Sequence, residues 1–292
     1  MTQAYSGLPD HPRLLVVAYD AGGAEIVSSW LRRHRGEWDV AVAVDGPAAN
    51  VFSRKLGDDL VLEPELPPLD GVAFVLCGSS GAATLERRAV REARSAGVRC
   101  AVWLDHWVNY AMRFELDGVS VLPDEVWVCD MHAAALARAE LPGADVRLKG
   151  NPYLEDFAAE VRRLADVRDP DVERILYVTE PNSVATEALT KYVLYLAGRH
   201  GGGEVELRIR THPTEPPDKY DAVLAGHADG LRHCVSGEAT LAQDVAWADT
   251  VVGCDTMAMV AALEAGRRVI SVLAPDTPAH LPPDPRIERL WR

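Results

Sequence analysis

No stretch of the chain reaches the roughly 18 consecutive apolar residues that a membrane helix needs, so no integral membrane segment is expected. The opening residues, MTQAYSGLPDHPR, contain no apolar signal-peptide core, which points to a cytoplasmic protein. Cysteine is sparse. Cys77, Cys100, Cys129, Cys234 and Cys254 form no CxxC pair, and most fall within apolar runs, so they are expected to be reduced, buried thiols. Positive charge is also short: 30 Lys and Arg against 44 Asp and Glu leave a net charge of −14. That balance disfavours nucleic acid and anionic lipid as partners, although a few local donors could still hold one phosphorylated ligand. HxH, HExxH and DxD motifs are missing, so no metal site is expected. The GxSxG elbow, the P-loop and the full GxGxxG are missing as well, which removes support for serine hydrolase, NTPase and nicotinamide chemistry.

What the chain does have is alternation. Over 292 residues, short runs rich in Val, Leu and Ile alternate with amphipathic segments, the pattern of βα units around a parallel sheet. Strands are expected near Leu14–Ala18, Val40–Val44, Ala73–Cys77, Arg99–Leu104, Glu125–Cys129 and Val146–Leu148 in the first half. In the second half they are expected near Arg174–Val178, Glu204–Arg210, Leu231–Cys234, Thr250–Val252 and Val269–Leu273. Helices are expected near Ala24–His34, Ala82–Ala96, Met131–Glu140, Val184–Arg199 and Thr256–Ala265. The basic stretch Glu86–Arg99 has apolar residues at helical spacing and is expected to be a solvated helix face. Gly150-Asn151-Pro152 and the charged segment after it suggest an N-terminal domain over 1–152, a linker over 153–172 and a C-terminal domain over 173–292. The fold class expected is α/β, two Rossmann-like parallel-sheet domains facing across a cleft. The proline-rich tail from Pro275 is expected to be an extended return with at most a short helix.

Seven apolar runs end in polar residues: Asp20, Ser79 with Ser80, Asp105 with His106, Asp130, Glu180, Arg210 to His212, and Asp255 with Thr256. In open α/β sheets the carboxyl ends of strands face the ligand crevice. The first loop places Asp20 before Gly22 and Gly23; paired glycines let backbone approach a ligand, and a plain helix cap is the alternative. Asp105 beside His106 offers an acid and a base, and Trp107 and Tyr110 could wall a sugar face; the alternative is that the aromatics pack between domains and Asp105 caps a helix. Arg210 can fork onto phosphate, and His212 can donate to a leaving diphosphate or accept a proton. Glu180, Asn182 and Ser183 precede one helix, and Asp255 and Thr256 another; each group reads equally as an anion seat or a cap. Met257 and Met259 are expected to pack in the core.

Taken together these residues resemble the GT-B glycosyltransferase superfamily, in its nucleotide-sugar branch. That branch includes UDP-N-acetylglucosamine 2-epimerases, lipid-linked N-acetylglucosamine transferases, and CDP-glycerol and polysialyl transferases. Gly22-Gly23 resembles the acceptor-side glycine loop, and Gly150-Asn151-Pro152 the close of the N-terminal domain. Arg210-Thr211-His212-Pro213 is similar to the family's Arg-x-His-Pro strand tip. Trp247 to Gly253 with Asp255-Thr256 is similar to its A-D-x-V-V-x-x-x-S/T stretch. The sequence departs from the pattern at Ala261, where much of the family has a ribose-binding glutamate. It departs again at Gly78-Ser79-Ser80, where the epimerases carry Gly-Asp-Thr.

The resemblance implies a metal-independent transferase moving a glycosyl or polyol-phosphate group from a nucleotide-activated donor to a hydroxyl acceptor, in surface polysaccharide or natural-product synthesis. The nucleotide donor would be a substrate, with no cofactor. Asp20, Asp105 or His106 would be the base. His212 would act on the leaving group, and Gly22, Gly23, Glu180, Asn182, Ser183, Arg210, Asp255 and Thr256 would line the ligand. A hydrolase or epimerase on the same fold, or a non-catalytic binding partner, are the alternatives, and a homo-oligomer is left open.

Overall fold

The computed structural model describes residues 11–57, 61–81, 83–164, 171–198, 204–216, 218–227, 231–282 and 284–291. The chain divides into two compact units, Met1–Tyr153 and Leu154–Arg292.

In the N-terminal unit the chain runs β1 (Arg13–Ala18), α1 (Ala21–His34), β2 (Asp39–Val44), α2 (Pro47–Leu56), β3 (Leu62–Glu63), β4 (Val72–Cys77) and α3 (Leu85–Ala96). It continues through β5 (Arg99–Trp103), the hairpin β6 (Glu115–Leu116) and β7 (Val119–Ser120), β8 (Glu125–Val128), α4 (Met131–Glu140) and β9 (Val146–Leu148). The main sheet is ordered β3-β2-β1-β4-β5-β8-β9, and every described pairing in it is parallel. Parallel strands are covered on both faces, which is why β1 reads as an unbroken apolar run with Leu14 to Ala18 wholly buried. Trp103 and Trp127 meet edge to face at 5.1 Å and anchor the core against Trp30 and Phe74.

The C-terminal unit runs through α5 (Pro152–Leu164), β10 (Val172–Val178), α6 (Ser183–Ala197), β11 (Glu204–Arg210), α7 (Asp221–His227) and β12 (Arg232–Val235). It ends with α8 (Leu241–Trp247), β13 (Thr250–Gly253), α9 (Met257–Glu264), β14 (Arg268–Ser271) and β15 (Ile287–Arg289). Its sheet is ordered β12-β11-β10-β13-β14-β15, again parallel throughout the described pairings. In both units the chain steps outward over three strands, returns to the far side of the first, and continues the other way. The reversal falls between β1 and β4 in one unit and between β10 and β13 in the other. Such reversals leave a crevice at the carboxyl ends of the two strands that flank them.

Most expected strands and helices lie within a residue or two of the observed ones. Four expectations need correction. First, α5 occupies much of the stretch read as linker: its charges face outward while Leu154, Phe157, Ala158 and Val161 are buried, so an amphipathic stripe was present under the charge. The rest of that stretch from 165 to 170 lies outside the described residues. Second, the tail does not simply run over the surface. It adds β15 to the sheet edge, pairing in parallel with β14. Third, Cys77, Cys100 and Cys254 are buried, but Cys234 on the edge strand β12 is exposed; all five are free thiols. Fourth, the expected helices omit α2, α7 and α8, although α2 opens with Pro47, a residue suited to a first helical turn.

The glycine pair after β1 fixes how closely α1 can approach its neighbours. A Cβ on Gly23 would lie 2.8 Å from the backbone nitrogen of Ser79 and 3.1 Å from Cα of Gly78. Backbone cannot yield as a flexible side chain would. Gly23→Ala is therefore expected to destabilise the protein by about 1–3 kcal/mol in urea unfolding. Gly36→Ala, whose Cβ meets nothing within 4 Å, should be close to neutral.

Candidate functional site

At the carboxyl ends of the N-terminal strands the central group is Asp105, which follows β5. Its side chain is only 3% exposed. Oδ1 accepts hydrogen bonds from the Ser79 hydroxyl at 2.7 Å and from the Arg113 guanidinium at 3.0 Å. The same Arg113 nitrogen also donates to Ser79 Oγ at 2.9 Å, closing a three-membered network. The other oxygen, Oδ2, faces Nε2 of His106 at 3.5 Å, and that imidazole is 42% exposed. A buried, ion-paired carboxylate thus stands behind a solvent-facing imidazole. The expected base pair Asp105 and His106 is brought together, and two partners that sequence did not single out for it, Ser79 and Arg113, hold it.

Gly22 lies against this network. A Cβ there would be 2.1 Å from Asp105 Oδ2, so the space in front of Gly22 is filled by the carboxylate. Trp107 and Tyr110 are buried; the indole N–H donates to Asp130 at 2.7 Å, and the Tyr110 hydroxyl donates to the His106 carbonyl. They pack the loop and wall no open face. Asp130 also caps α4 by accepting from the backbone of Ala133 at 2.7 Å. Asp20 sits at the N-cap of α1 without a capping bond, and its Oδ2 accepts from the Gly81 N–H at 3.2 Å.

Sequence reading missed Glu86. It belongs to the stretch expected to be solvated, and Arg88, Arg91 and Arg94 are indeed exposed, but Glu86 is 3% exposed at the start of α3. Oε1 accepts from the Tyr19 N–H at 2.8 Å, while Oε2 has no partner. Burial, with a smaller contribution from nearby Asp20, pushes its carboxyl up to about 7. Nothing in the local sequence marks it: its partner lies 67 residues away.

The C-terminal unit carries the second group. Asn182 caps α6 by accepting from Ala185 at 2.8 Å, and Ser183 is exposed on its first turn. Glu180, at the end of β10, accepts the Asp255 N–H at 2.7 Å across the strand reversal, and burial raises its pKa. Asp255 in turn accepts from the backbone of Leu281 at 2.9 Å and from the His280 ring at 2.9 Å, so it fastens the tail. Thr256 is the N-cap of α9. Arg210 donates through one terminal nitrogen to Asp244 and to the Ala239 carbonyl, each at 2.7 Å. Asp244 is wholly buried and also accepts from Arg208 at 3.0 Å and Ser236 at 2.6 Å.

His212 follows Arg210 on the strand tip. Its backbone N–H donates to Thr179 Oγ1 at 2.9 Å and Glu215 at 3.0 Å. Nδ1 lies 3.3 Å from the Thr214 N–H, which donates to it, and 2.8 Å from the Thr214 hydroxyl; with Nδ1 accepting from both, the proton of the neutral ring is on Nε2. Glu215 was not singled out by sequence, yet it organises this turn. Burial alone would raise its pKa, but bonds from Lys219, Thr179, Tyr220 and the His212 backbone outweigh it and hold the carboxyl at about 2. Lys219 and Tyr220 supply two of those bonds. A cavity of about 500 Å³ opens here, lined by Pro181, Thr214, Glu215, Pro216, Asp218 and Lys219.

Ala261, where the resemblance calls for glutamate, is buried in the middle of α9. Glu264, nearly a turn on, pairs with Arg286 at 2.8 Å. Among the described residues no group of three or more His, Cys, Asp or Glu is arranged to hold a metal, and no helix is long and apolar enough to cross a membrane.

No protein-family model and no curated protein matches the chain. Solved structures do match. The chain is similar to UDP-GlcNAc 2-epimerase from Neisseria meningitidis bound to UDP-GlcNAc, with a TM-score of 0.64 and 11% identity over 89% of this chain and 82% of that one. A putative UDP-N-acetylglucosamine 2-epimerase from Listeria monocytogenes gives 0.66 and 13%, over 92% and 80%. MurG from Acinetobacter baumannii gives 0.57 and 11%, over 91% and 80%. These neighbours are GT-B nucleotide-sugar enzymes, and the chain has their fold.

The carboxyl of Glu86 titrates higher in the folded chain than in the unfolded one, where it sits near 4.5. The folded state therefore binds the extra proton between about pH 4.5 and 7, and stability is lost as pH rises through that window. The loss is expected to approach about 3 kcal/mol. The wild-type urea midpoint should be lower at pH 7.5 than at pH 5, and Glu86→Gln should flatten that difference.

Proposed function

We propose that the chain is a metal-independent transferase that moves a glycosyl or polyol-phosphate group from a nucleotide-activated donor to a hydroxyl acceptor. The observation that carries this proposal is the buried Asp105 behind the exposed His106. Asp105 is already committed to Ser79 and Arg113, so it is better suited to orient the imidazole than to take a proton itself. A proton on Nε2, the ring nitrogen 3.5 Å from Asp105, would leave Nδ1 a lone pair for the acceptor hydroxyl, and the nearby carboxylate would stabilise the imidazolium that forms. As the hydroxyl oxygen bonds to the donor's electrophilic centre, the bond to the leaving nucleotide breaks and leaves negative charge on its phosphate: a nucleoside diphosphate departs from the anomeric carbon in glycosyl transfer, a nucleoside monophosphate from phosphorus in polyol-phosphate transfer.

The C-terminal unit has the groups that such charge requires. His212 presents Nε2–H, Ser183 is exposed at the N-terminus of α6, and Thr256 stands at the N-terminus of α9. Helix N-termini and fixed donors stabilise a leaving diphosphate without reorganising. Arg210 is held by Asp244 at the same strand tip and adds positive charge there. The nucleotide-sugar neighbours support the donor class: the Neisseria protein is bound to UDP-GlcNAc, and a Staphylococcus aureus relative in fold, MnaA, is a co-structure with UDP. A role in surface polysaccharide or natural-product synthesis, in the cytoplasm, belongs to this proposal.

An epimerase or hydrolase on the same fold is the second reading. One observation favours it: although Gly78-Ser79-Ser80 lacks the epimerase carboxylate, Asp105 stands 2.7 Å from Ser79 Oγ and so supplies a carboxylate beside that turn.

Thermal shifts against UDP, CDP, CMP, GDP and dTDP test the donor half. A nucleotide at about 100 times its Kd should stabilise the wild type by roughly 2.7 kcal/mol, a shift of a few degrees, and His212→Ala should abolish it. With that donor, His106→Ala is expected to lower turnover by at least about 10²-fold and Asp105→Asn to shift its pH profile. Nucleotide release that needs an added hydroxyl acceptor supports transfer; acceptor-independent release supports hydrolysis. Full turnover in His106→Ala, or no response to any nucleotide, overturns the proposal.

A further inference from the structure

On the α6 side of the C-terminal sheet a groove of about 750 Å³ runs between α6 and the tail, with Val184, Leu194, Tyr195, Val272, Pro275 and Trp291 among its walls. Three apolar side chains of α6 stand open there. Val184 is 47% exposed, Leu194 49% and Tyr195 41%. At the helical repeat these three share one face, roughly 100° wide, with Glu187 and Lys191. Isolated exposed apolar residues are ordinary, but a continuous stripe beside a groove marks an interaction surface.

The order of residues on this face is self-complementary in the antiparallel sense. Val184 and Leu194 lie at equal distances on either side of Leu189, and so do Glu187 and Lys191. A two-fold axis at Leu189 would therefore set Val184 against the partner's Leu194, and Glu187 against the partner's Lys191. Apolar layers would flank two charge pairs of opposite sign. In the single chain Glu187 and Lys191 pair with each other at 2.7 Å, with side chains 69% and 60% exposed. Such a surface pair contributes little and can be exchanged for an intermolecular one. We propose that this face is a two-fold interface between two copies of the chain. A standard interface buries roughly 800 Å² on each partner, more than one helical stripe offers, so the tail wall takes part as well. Trp291, packed edge to face on Tyr195 at 5.8 Å, is the anchor on that side.

Sedimentation equilibrium from about 1 to 100 μM tests this. The mass is expected to rise from one chain to two across that range. Leu194→Glu should stay monomeric with an unchanged melting temperature, because the side chain it replaces is half exposed in the monomer. Glu187→Lys and Lys191→Glu should each weaken self-association by at least about tenfold, through like charges across the axis. Mixing those two variants should restore the dimer, since lysines on one copy then face glutamates on the other. An effect confined within one helix cannot produce that rescue. A wild type that stays monomeric throughout, or a dimer indifferent to all three substitutions, overturns the proposal. So does a monomer whose groove saturates with anilinonaphthalene sulfonate, which would assign the groove to a small apolar ligand.

Discussion

The arrangement of the N-terminal strand ends depends on one close approach of backbone to backbone. Gly23 and Gly78 face each other where the sheet reverses, and neither position has room for a Cβ: the nearest backbone atoms would lie at 2.8 and 3.0 Å. That contact lets the first turn of α1 settle onto the loop after β4. It also lets the Asp105 carboxylate occupy the space before Gly22. Asp105 then gathers Ser79 and Arg113, and with them the ends of β4 and β5 and the turn at Ala111–Phe114. The orientation available to His106 is a product of that packing. A larger residue at either glycine would act on the imidazole through Ser79 and Asp105.

Carboxylates do the equivalent fastening in the C-terminal unit. Glu180 receives the backbone of Asp255, Asp255 receives the tail, Asp244 gathers two arginines and a serine, and Glu215 holds the His212 turn. In each case an acceptor-only carboxylate gathers donors from segments distant in sequence or from the turn beyond a strand. Acidic residues therefore shape the strand-end groups of each unit, while the groups assigned to chemistry are imidazoles.

The fold was legible because parallel sheets need apolar runs bounded by polar turns, and those are local features. Leu14–Ala18, Arg174–Val178 and Glu204–Arg210 announce themselves within a handful of residues. The strand-tip rule drew attention to Asp105, His106, Glu180, Arg210 and Asp255 for the same reason. What each of those groups bonds to was not legible. Tyr19 and Glu86 are 67 positions apart, Glu180 and Asp255 are 75, and only the folded sheet brings them together. The charged face of α5 hid its apolar stripe, and β15 is too short to announce a strand. The glycine pair reads in sequence either as backbone that a ligand can approach or as an ordinary βα turn; which groups a Cβ there would meet, Ser79, Gly78 and Asp105, depends on neighbours far along the chain.

The exposed thiol of Cys234 distinguishes one position on this chain from every other. Electrophilic reagents attack thiolates, and burial pushes the competing thiols up: Cys100 to about 11, Cys254 to about 12, and Cys77 and Cys129 well above their usual range. A maleimide at neutral pH will therefore mark β12 alone, two residues before Ser236 reaches Asp244. The native sequence thus already carries a single-site spectroscopic reporter at the outer strand of the C-terminal sheet, with no cysteine added or removed.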